Sequence, residues 1–293
     1  MLNLIVAPFE QNPKAEKYTK KVVRILKQEK IEYSVYFCIN PENVLTNIQE
    51  LLDLGEKDFV LVGDDVLIHS FINNVKDLSK IKLGIIPVGK NKDFSNYIQI
   101  SNKPTQAIKD ILENNTESFD YLLVNNKTKV LNNVTVGASA EMFEIYNQYK
   151  MKNFLSKQFL MFKYGNKFEG IDLAFNAPKN VKTKWENVFE LNISNAGLLN
   201  NKQVSPLSNA QDGLLNVNYA LVPPMEERKK YLKKFNKGSQ VKDERTKQSW
   251  KESVVVTNPD KRIKILADNK LITVEELEVK VVENGLNIYK KID

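Results

Sequence analysis

Two short runs constrain this chain more than any other part of it. Phe59-Val60-Leu61-Val62 and Leu83-Gly84-Ile85-Ile86-Pro87-Val88 contain no charged or hydrogen-bonding side chain. A strand that alternates apolar and polar residues buries one face. A strand that is apolar throughout buries both, as in a parallel sheet with helices packed on either side. Each run ends in a polar turn, Gly63-Asp64-Asp65 and Gly89-Lys90-Asn91-Lys92-Asp93. Ligands of such sheets sit beyond the C-terminal ends of the strands, where both turns fall.

The sequence around these runs alternates strand and helix. Leu2 to Ala7 reads as a strand. Asn12-Pro13 reads as an N-cap with a first-turn proline, followed by Tyr18, Val22, Ile25 and Leu26 on one helical face. Ile31 to Phe37 alternates as a strand. Asn40-Pro41 opens a second helix with Val44, Ile48, Leu51 and Leu52 inward. Helices are expected from about Val66 to Val75 and from Pro104 to about Glu113, before a strand from Phe119 to Val124. The expected class is α/β, with a doubly wound parallel-sheet, nucleotide-binding-like domain over residues 1–125.

Past Asn125 the pattern changes. Val130–Val136, Gly170–Phe175, Val188–Ser194, Leu214–Val222, Ser253–Thr257, Arg262–Ala267 and Glu276–Val282 read as strands joined by turns. They imply a second, antiparallel β-rich sandwich domain over residues 126–284. It carries one helical insertion, roughly Ala140 to Tyr164, and one basic helix, roughly Met225 to Asn236.

Composition excludes several classes. The chain has 293 residues, 42% hydrophobic and 27% charged, which is globular rather than disordered. No apolar run approaches the roughly 20 residues of a membrane span. Met1 to Ala7 has no basic leader and no small-residue cleavage site, so it reads as a strand rather than a signal peptide. A lone Cys38 excludes a disulfide framework and fits a reducing cytosol, so a cytoplasmic protein is expected. A lone His69 argues against a His-rich metal site or a Ser-His-Asp triad. The net charge of +7 comes from 39 lysines and only 4 arginines. Arginine is the preferred bidentate reader of phosphates and bases, so nucleic-acid binding is not expected. Attraction to anionic membranes or substrates suits the charge better.

The two turns carry the candidate chemistry. A glycine at a strand end lets backbone N–H groups approach a phosphate with no Cβ in the way. A carboxylate in the same turn can hold Mg²⁺ against β- and γ-oxygens. The plain alternative is two ordinary polar turns, with Asp93 capping the next helix.

The order of these elements and turns resembles the diacylglycerol kinase catalytic-domain family, which includes bacterial lipid kinases and sphingosine kinases. That family carries a Gly-Gly-Asp-Gly-Thr turn, then Leu-Gly-Ile-Ile-Pro-x-Gly-Thr-x-Asn-Asp-Phe. Leu83 to Gly89 and Asp93-Phe94 match the second motif; Gly63 and Asp65 match the first. Asn133 to Glu141 is similar to the family's passage into its β-rich lipid-site domain. Asn195-Ala196-Gly197, Ser205-Pro206 and Asp212-Gly213-Leu214-Leu215-Asn216-Val217 are similar to the family's Asn-Gly, Pro and Asp-Gly-x-Leu-Asp-Val region. Asp268-Asn269-Lys270 stands at an Asp-Gly-Glu turn.

The resemblance implies ATP and Mg²⁺ as cofactors and a lipid hydroxyl as acceptor, with the protein cytoplasmic and peripheral to the membrane. It assigns the nucleotide to Gly63, Asp64, Asp65, Gly89, Lys90 and Asp93, metal to Asp65, Asp93 and Asp212, and the general base to Asp268. It also implies that residues 285–293 return to the first domain. A homodimer is left open. NAD kinases share the Gly-Gly-Asp-Gly turn, but their Asn-Glu pair is not found here.

The departures have physical content. Asp64, Val66 and Leu67 stand for Gly, Gly and Thr; Lys90, Asn91 and Lys92 stand for Thr, a small residue and Asn. Asp64 adds a negative charge beside an expected triphosphate, while Lys90 and Lys92 attract anions. Asn216 replaces an aspartate of the structural Mg²⁺ region, and Ser70, next to His69, stands for a glutamate. Lys270 beside Asp268 favours its charged form. Two readings follow: an active ATP- and Mg²⁺-dependent lipid kinase, or a pseudokinase that keeps the fold as a lipid- or anion-binding regulatory protein. Two smaller features each have two readings. The basic helix, with Tyr231, Leu232 and Phe235 on one side, is either a solvated face or a membrane-docking one. Phe154, Phe159, Met161, Phe162 and Tyr164 either pack the core or line a lipid cleft.

Overall fold

The computed structural model describes residues 1–7, 12–149, 154–177, 181–199, 201–237, 242–259, 261–268 and 270–291. The chain divides into two compact units, Met1–Tyr121 with Glu283–Asp293, and Leu122–Val282.

The first unit runs β1 (Leu2–Val6), α1 (Ala15–Gln28), β2 (Tyr33–Phe37), α2 (Pro41–Asp53), β3 (Asp58–Gly63), α3 (Asp65–Asn74), β4 (Lys82–Pro87), α4 (Asp93–Tyr97), α5 (Pro104–Leu112) and β5 (Thr116–Val124), which crosses into the second unit. The strand order β2-β1-β3-β4 is wholly parallel, with Val6 beside Val62 and Gly63 beside Pro87. The register sets the ends of β3 and β4 side by side and so brings the two polar turns together. The runs apolar at every position are buried on both faces, as expected. Leu4, Val60, Val62 and Ile86 pack with Val22 and Leu26 of α1 and Ala107, Ile108 and Ile111 of α5. Phe59 meets Phe71 of α3 edge-on at 5.0 Å. Gly84 suits this packing, since a Cβ there would lie 2.7 Å from Ile111 Cδ1 and that side chain would have to shift.

The second helix starts as its sequence predicts, with the Asn40 side chain accepting from the Asn43 N–H at 2.9 Å. The first does not. Helix α1 begins at Ala15, and its cap residue, Lys14, makes no side-chain capping bond. Asn12 is used elsewhere, as described below.

The second unit contains β6 (Thr128–Val130), β7 (Asn133–Gly137), α6 (Ala138–Gln148), α7 (Phe154–Gly165), β8 (Ile171–Ala177), β9 (Val181–Ser194), β10 (Leu198–Leu199), β11 (Lys202–Gln203), β12 (Leu215–Leu221), α8 (Met225–Lys237), β13 (Thr246–Lys251), β14 (Ser253–Thr257), β15 (Ile263–Ala267), β16 (Lys270–Val274) and β17 (Glu276–Tyr289), whose last residues belong to the first unit. Its pairings are antiparallel. Strand β9 serves two neighbourhoods. Its C-terminal half lies between β7 and β12, and its N-terminal half pairs with β8. The change comes at Asn187, at φ +54° beside a shift in register, as a bulge that bends a strand requires.

The two faces of β7, β9 and β12 differ. Val134, Val136, Leu191, Ile193, Leu215 and Val217 belong to one apolar core. Alternate residues on the other face are polar and buried: Asn133, Thr135, Glu190, Asn192, Ser194, Asn216 and Asn218.

Three expectations change on the described residues. The helical insertion is two helices, α6 and α7. The strand expected over Val130–Val136 is broken between β6 and β7, for a reason found at Asp268. On α8, Tyr231 and Leu232 pack inside the second unit, buried with Ala138, Met142, Phe189 and Ala220. Phe162 and Tyr164 pack against the same cluster, while Phe159 is exposed. The side chains of Phe154, Met161 and Phe235 lie outside the described residues, as does Asn269. No described helix is long and apolar enough to cross a membrane.

Candidate functional site

The two strand-end turns of the first unit are bonded to each other. The Val88 N–H donates to the Gly63 carbonyl at 2.8 Å, and the Asp65 N–H donates to the Asn91 carbonyl at 2.8 Å. Asp65, buried at the start of α3, accepts the Phe94 N–H on Oδ2 at 3.0 Å. Its carboxylate thus caps the first turn of α4 from the neighbouring turn. Asp93 itself is buried at the first position of α4.

Asp64 takes the place where a glycine was expected and acts as the N-cap of α3, accepting the Val66 N–H at 3.2 Å. Burial pushes its carboxyl above the usual range, against several backbone N–H groups that pull it down. Gly89 adopts φ +125° against this carboxylate. A Cβ on Gly89 would lie 2.8 Å from Asp64 Oδ2 and 2.8 Å from Asn12 Nδ2. Asn12 reaches across to donate its amide to the Val88 carbonyl. The space beside Gly63 is filled too, since a Cβ there would meet Leu67 Cδ2 at 2.6 Å. Of the two lysines, Lys90 is exposed and Lys92 donates to Asn102 Oδ1 at 2.5 Å.

These turns are therefore a packed, hydrogen-bonded pair with a half-buried carboxylate between them. Asn12, Asn91 and Leu67 belong to the arrangement, and none of the three carries a sequence signal for that role. Asn12 looks like a helix cap, and only the fold brings it to Val88.

The second-unit motifs form a separate corner. Asp268 stands at φ +50° in the β15–β16 hairpin, which favours Asp, Asn or Gly. The residue is 4% exposed. Oδ2 accepts the Leu131 N–H at 2.9 Å, and Oδ1 accepts those of Asn132 at 2.8 Å and Asn133 at 3.3 Å. This carboxylate takes donors that a continuous strand would give to a neighbour, which is why β6 and β7 are separate. Asn195 and Ala196 donate to the Asn132 carbonyl, and Asn195 Nδ2 donates to Leu131 O at 2.9 Å. Gly197, at φ +70°, packs so close to Ser205 that a Cβ would lie 2.2 Å from its carbonyl oxygen. The Ser205 hydroxyl in turn donates to Asn216 Oδ1 at 2.6 Å. Lys270 is exposed. Asp212 is exposed and closes its own turn through Leu214 N–H at 3.0 Å.

The donor sets bear on the implied metal. Among the described residues no three His, Cys, Asp or Glu side chains gather as ligands. Asp65 has an oxygen committed to Phe94, and Asp212 has one committed to Leu214. No protein-only Mg²⁺ cage exists at these positions.

Comparisons with known proteins agree with the motifs. Residues 1–124 match the sequence model of the diacylglycerol kinase catalytic domain. Over these residues the chain is similar to that catalytic domain. A relative from Bacillus subtilis (strain 168), YtlR, is provisionally named a lipid kinase. It is 23% identical over 171 residues, covering 54% of this chain and 55% of that protein. A protein from Klebsiella pneumoniae (strain 342), named a probable YegS-like lipid kinase, is 27% identical over 42% of this chain and 41% of its own length. The chain thus spans about half the length of the curated relatives it matches. A crystal structure of a diacylglycerol kinase from Bacillus anthracis superposes with a TM-score of 0.72, covering 99% of this chain and 96% of that one at 14% identity. An NAD kinase from Archaeoglobus fulgidus in complex with ATP gives 0.55, covering 99% and 94% at 12% identity. At such identities the likeness concerns the fold.

Proposed function

We propose that this lipid-kinase-family chain is a pseudokinase: a lipid- or anion-binding regulatory protein in which the aspartates of the catalytic motifs hold the fold together. Asp268 carries this reading. A general base must reach the acceptor hydroxyl and have a lone pair for its proton. Asp268 is 4% exposed, so a lipid hydroxyl does not reach it in this arrangement, and three backbone N–H groups stabilise its charged form and make it a weaker base. Asp64 adds support. Phosphoryl transfer relies on positioning and charge stabilisation, and a carboxylate against Gly89 opposes a triphosphate. The ligand class follows from the relatives, which are named lipid kinases.

The test is turnover of diacylglycerol with ATP and Mg²⁺. The proposal expects product no higher than a protein-free blank. Turnover that scales with protein and disappears in Asp268→Asn, with the variant still folded, would overturn it. It would establish the second reading, an active lipid kinase, which the retention of Asp65 and Asp93 at their turns favours.

A further inference from the structure

One cavity lies away from both turns. It encloses about 170 Å³ within the first unit, between α5, the α4–α5 connection and the residues that end β17. Its lining joins the buried Ile85, Ala107, Ile111 and Tyr289 to the more exposed Asp110 and Lys291. The Tyr289 hydroxyl is held outside the question, donating to Asp58 Oδ1 at 2.6 Å.

The rim chemistry narrows what fits. Lys290 also lines the cavity, but its ammonium is bound to Glu117 at 2.7 Å. Lys291 is exposed. Asp110 accepts from Gln106 on Oδ1 at 2.8 Å, which leaves Oδ2 for a ligand. A simple anion would meet Asp110, and a simple cation would meet the two lysines. A pure hydrocarbon would strip water from both charges with nothing in return. A molecule with an ammonium, a carboxylate and an apolar tail answers all three surfaces at once. The volume lies below the roughly 300 Å³ at which drug-sized pockets begin, so the molecule is small.

We propose that this cavity binds a small zwitterion with an apolar tail, of the α-amino acid class. Its ammonium meets Asp110, its carboxylate meets Lys291, and its tail lies on Ile85, Ala107 and Ile111. The proposal does not depend on whether the chain is a kinase. The cavity also touches the site by a short path. Ser101 lines it, and the next residue, Asn102, accepts from Lys92 of the second turn. Gln99, another lining residue, is held at φ +61° in the cap that ends α4. A ligand that settles this connection acts on the residues that carry Lys92.

The experiment is amide NMR of the full chain titrated with L-leucine to about 20 mM. Saturable shifts are expected at Ser101, Asn102, Ala107 to Ile111 and Lys291. Isoamylamine, which lacks the carboxylate, and 4-methylpentanoate, which lacks the ammonium, are expected to bind at least about tenfold more weakly. Asp110→Asn and Lys291→Ala, both at solvent-accessible positions, are expected to bring leucine down to the level of the matching analogue. No saturable shift with leucine would overturn the proposal, and so would equal binding of either analogue or unchanged binding in both variants.

Discussion

The turns of the first unit and the Asp268 hairpin of the second both set a buried carboxylate against backbone N–H groups, yet the carboxylates hold different things. Asp65 links two adjacent turns by accepting one N–H from Phe94, and the sheet register already places those turns side by side. Asp268 accepts three N–H groups from Leu131, Asn132 and Asn133, across more than 130 residues of sequence, and so fixes where β6 stops and β7 starts. One carboxylate reinforces a geometry that strand pairing supplies, and the other creates one. A residue kept at a catalytic-motif position can therefore be kept for folding, and the two roles separate in a stability measurement.

The largest expected effect is at Asp268. Alanine leaves three buried donors without an acceptor. Each unsatisfied group costs about 1–3 kcal/mol, and alanine at positive φ adds roughly 1 kcal/mol more. A loss of about 4 kcal/mol or more in urea unfolding is expected for Asp268→Ala. Asp268→Asn, which tolerates the same φ and keeps one acceptor oxygen, should lose distinctly less. A full-stability alanine variant would erase the contrast between the two carboxylates and return Asp268 to a catalytic role.

Glu190 sharpens the same contrast through pH. It is buried on β9 and accepts the Ser139 N–H at 2.9 Å. Burial pushes its carboxyl up from 4.5 to about 8. The unfolded chain releases this proton near pH 4.5 and the folded chain keeps it to about pH 8. The neutral form's contribution is therefore full below pH 4.5, declines between those values and is gone above them. The decline is at most about 1.4 kcal/mol per pH unit. Glu190→Gln, neutral at every pH, is expected to flatten this part of the profile and to be the more stable protein at pH 8. Identical melting curves for the two proteins from pH 5 to 8 would show that Glu190 ionises in place.

The contrast also explains what could be read before the structure. The parallel sheet was legible because Phe59–Val62 and Leu83–Val88 are apolar at every position, a pattern few other folds need. Asn40 was legible as a cap because its partner is three residues away. Asn12 has the same Asn-Pro signal but spends its amide on Val88, 76 residues on, so local chemistry pointed to the wrong partner. The break between β6 and β7 was hidden for the same reason, because its cause lies at Asp268. Strand β13 carries no strand signal because Trp250 is its one apolar side chain, and β16 carries little because its apolar part is only Leu271–Val274 after a polar turn. In the site, the polar turns were visible, while the filling of their space by Leu67 and Asn12 depends on tertiary packing.

A smaller effect is expected at Asn12. Asn12→Ala removes one side-chain hydrogen bond to a buried carbonyl, worth about 1 kcal/mol. It also opens the space beside Gly89 without touching a carboxylate. The expected result is a small drop in melting temperature with the β3 and β4 core intact by hydrogen exchange. Loss of protection throughout β3 and β4 would mean that the register alone does not hold the turns together.

The smallest stability effect, and the most informative for the site, belongs to Asp64→Gly. Glycine remains an acceptable N-cap, so the change costs only a few tenths of a kcal/mol. Electrostatically it matters more, because it removes a half-buried negative charge packed on Gly89. Two like charges about 4–5 Å apart repel by roughly 3–4 kcal/mol at an effective dielectric near 20, and salt and water reduce this. If the turns still have the backbone geometry of a phosphate cradle, Asp64→Gly should gain a thermal shift with Mg-ATP, measured against the parent protein at the same ionic strength. The gain should shrink as salt is raised. A variant as indifferent to nucleotide as its parent would place the obstruction in shape, with Leu67 and Asn12 occupying the space. In that case the turns of the first unit, like the carboxylate of the Asp268 corner, serve packing and hydrogen bonding in the fold.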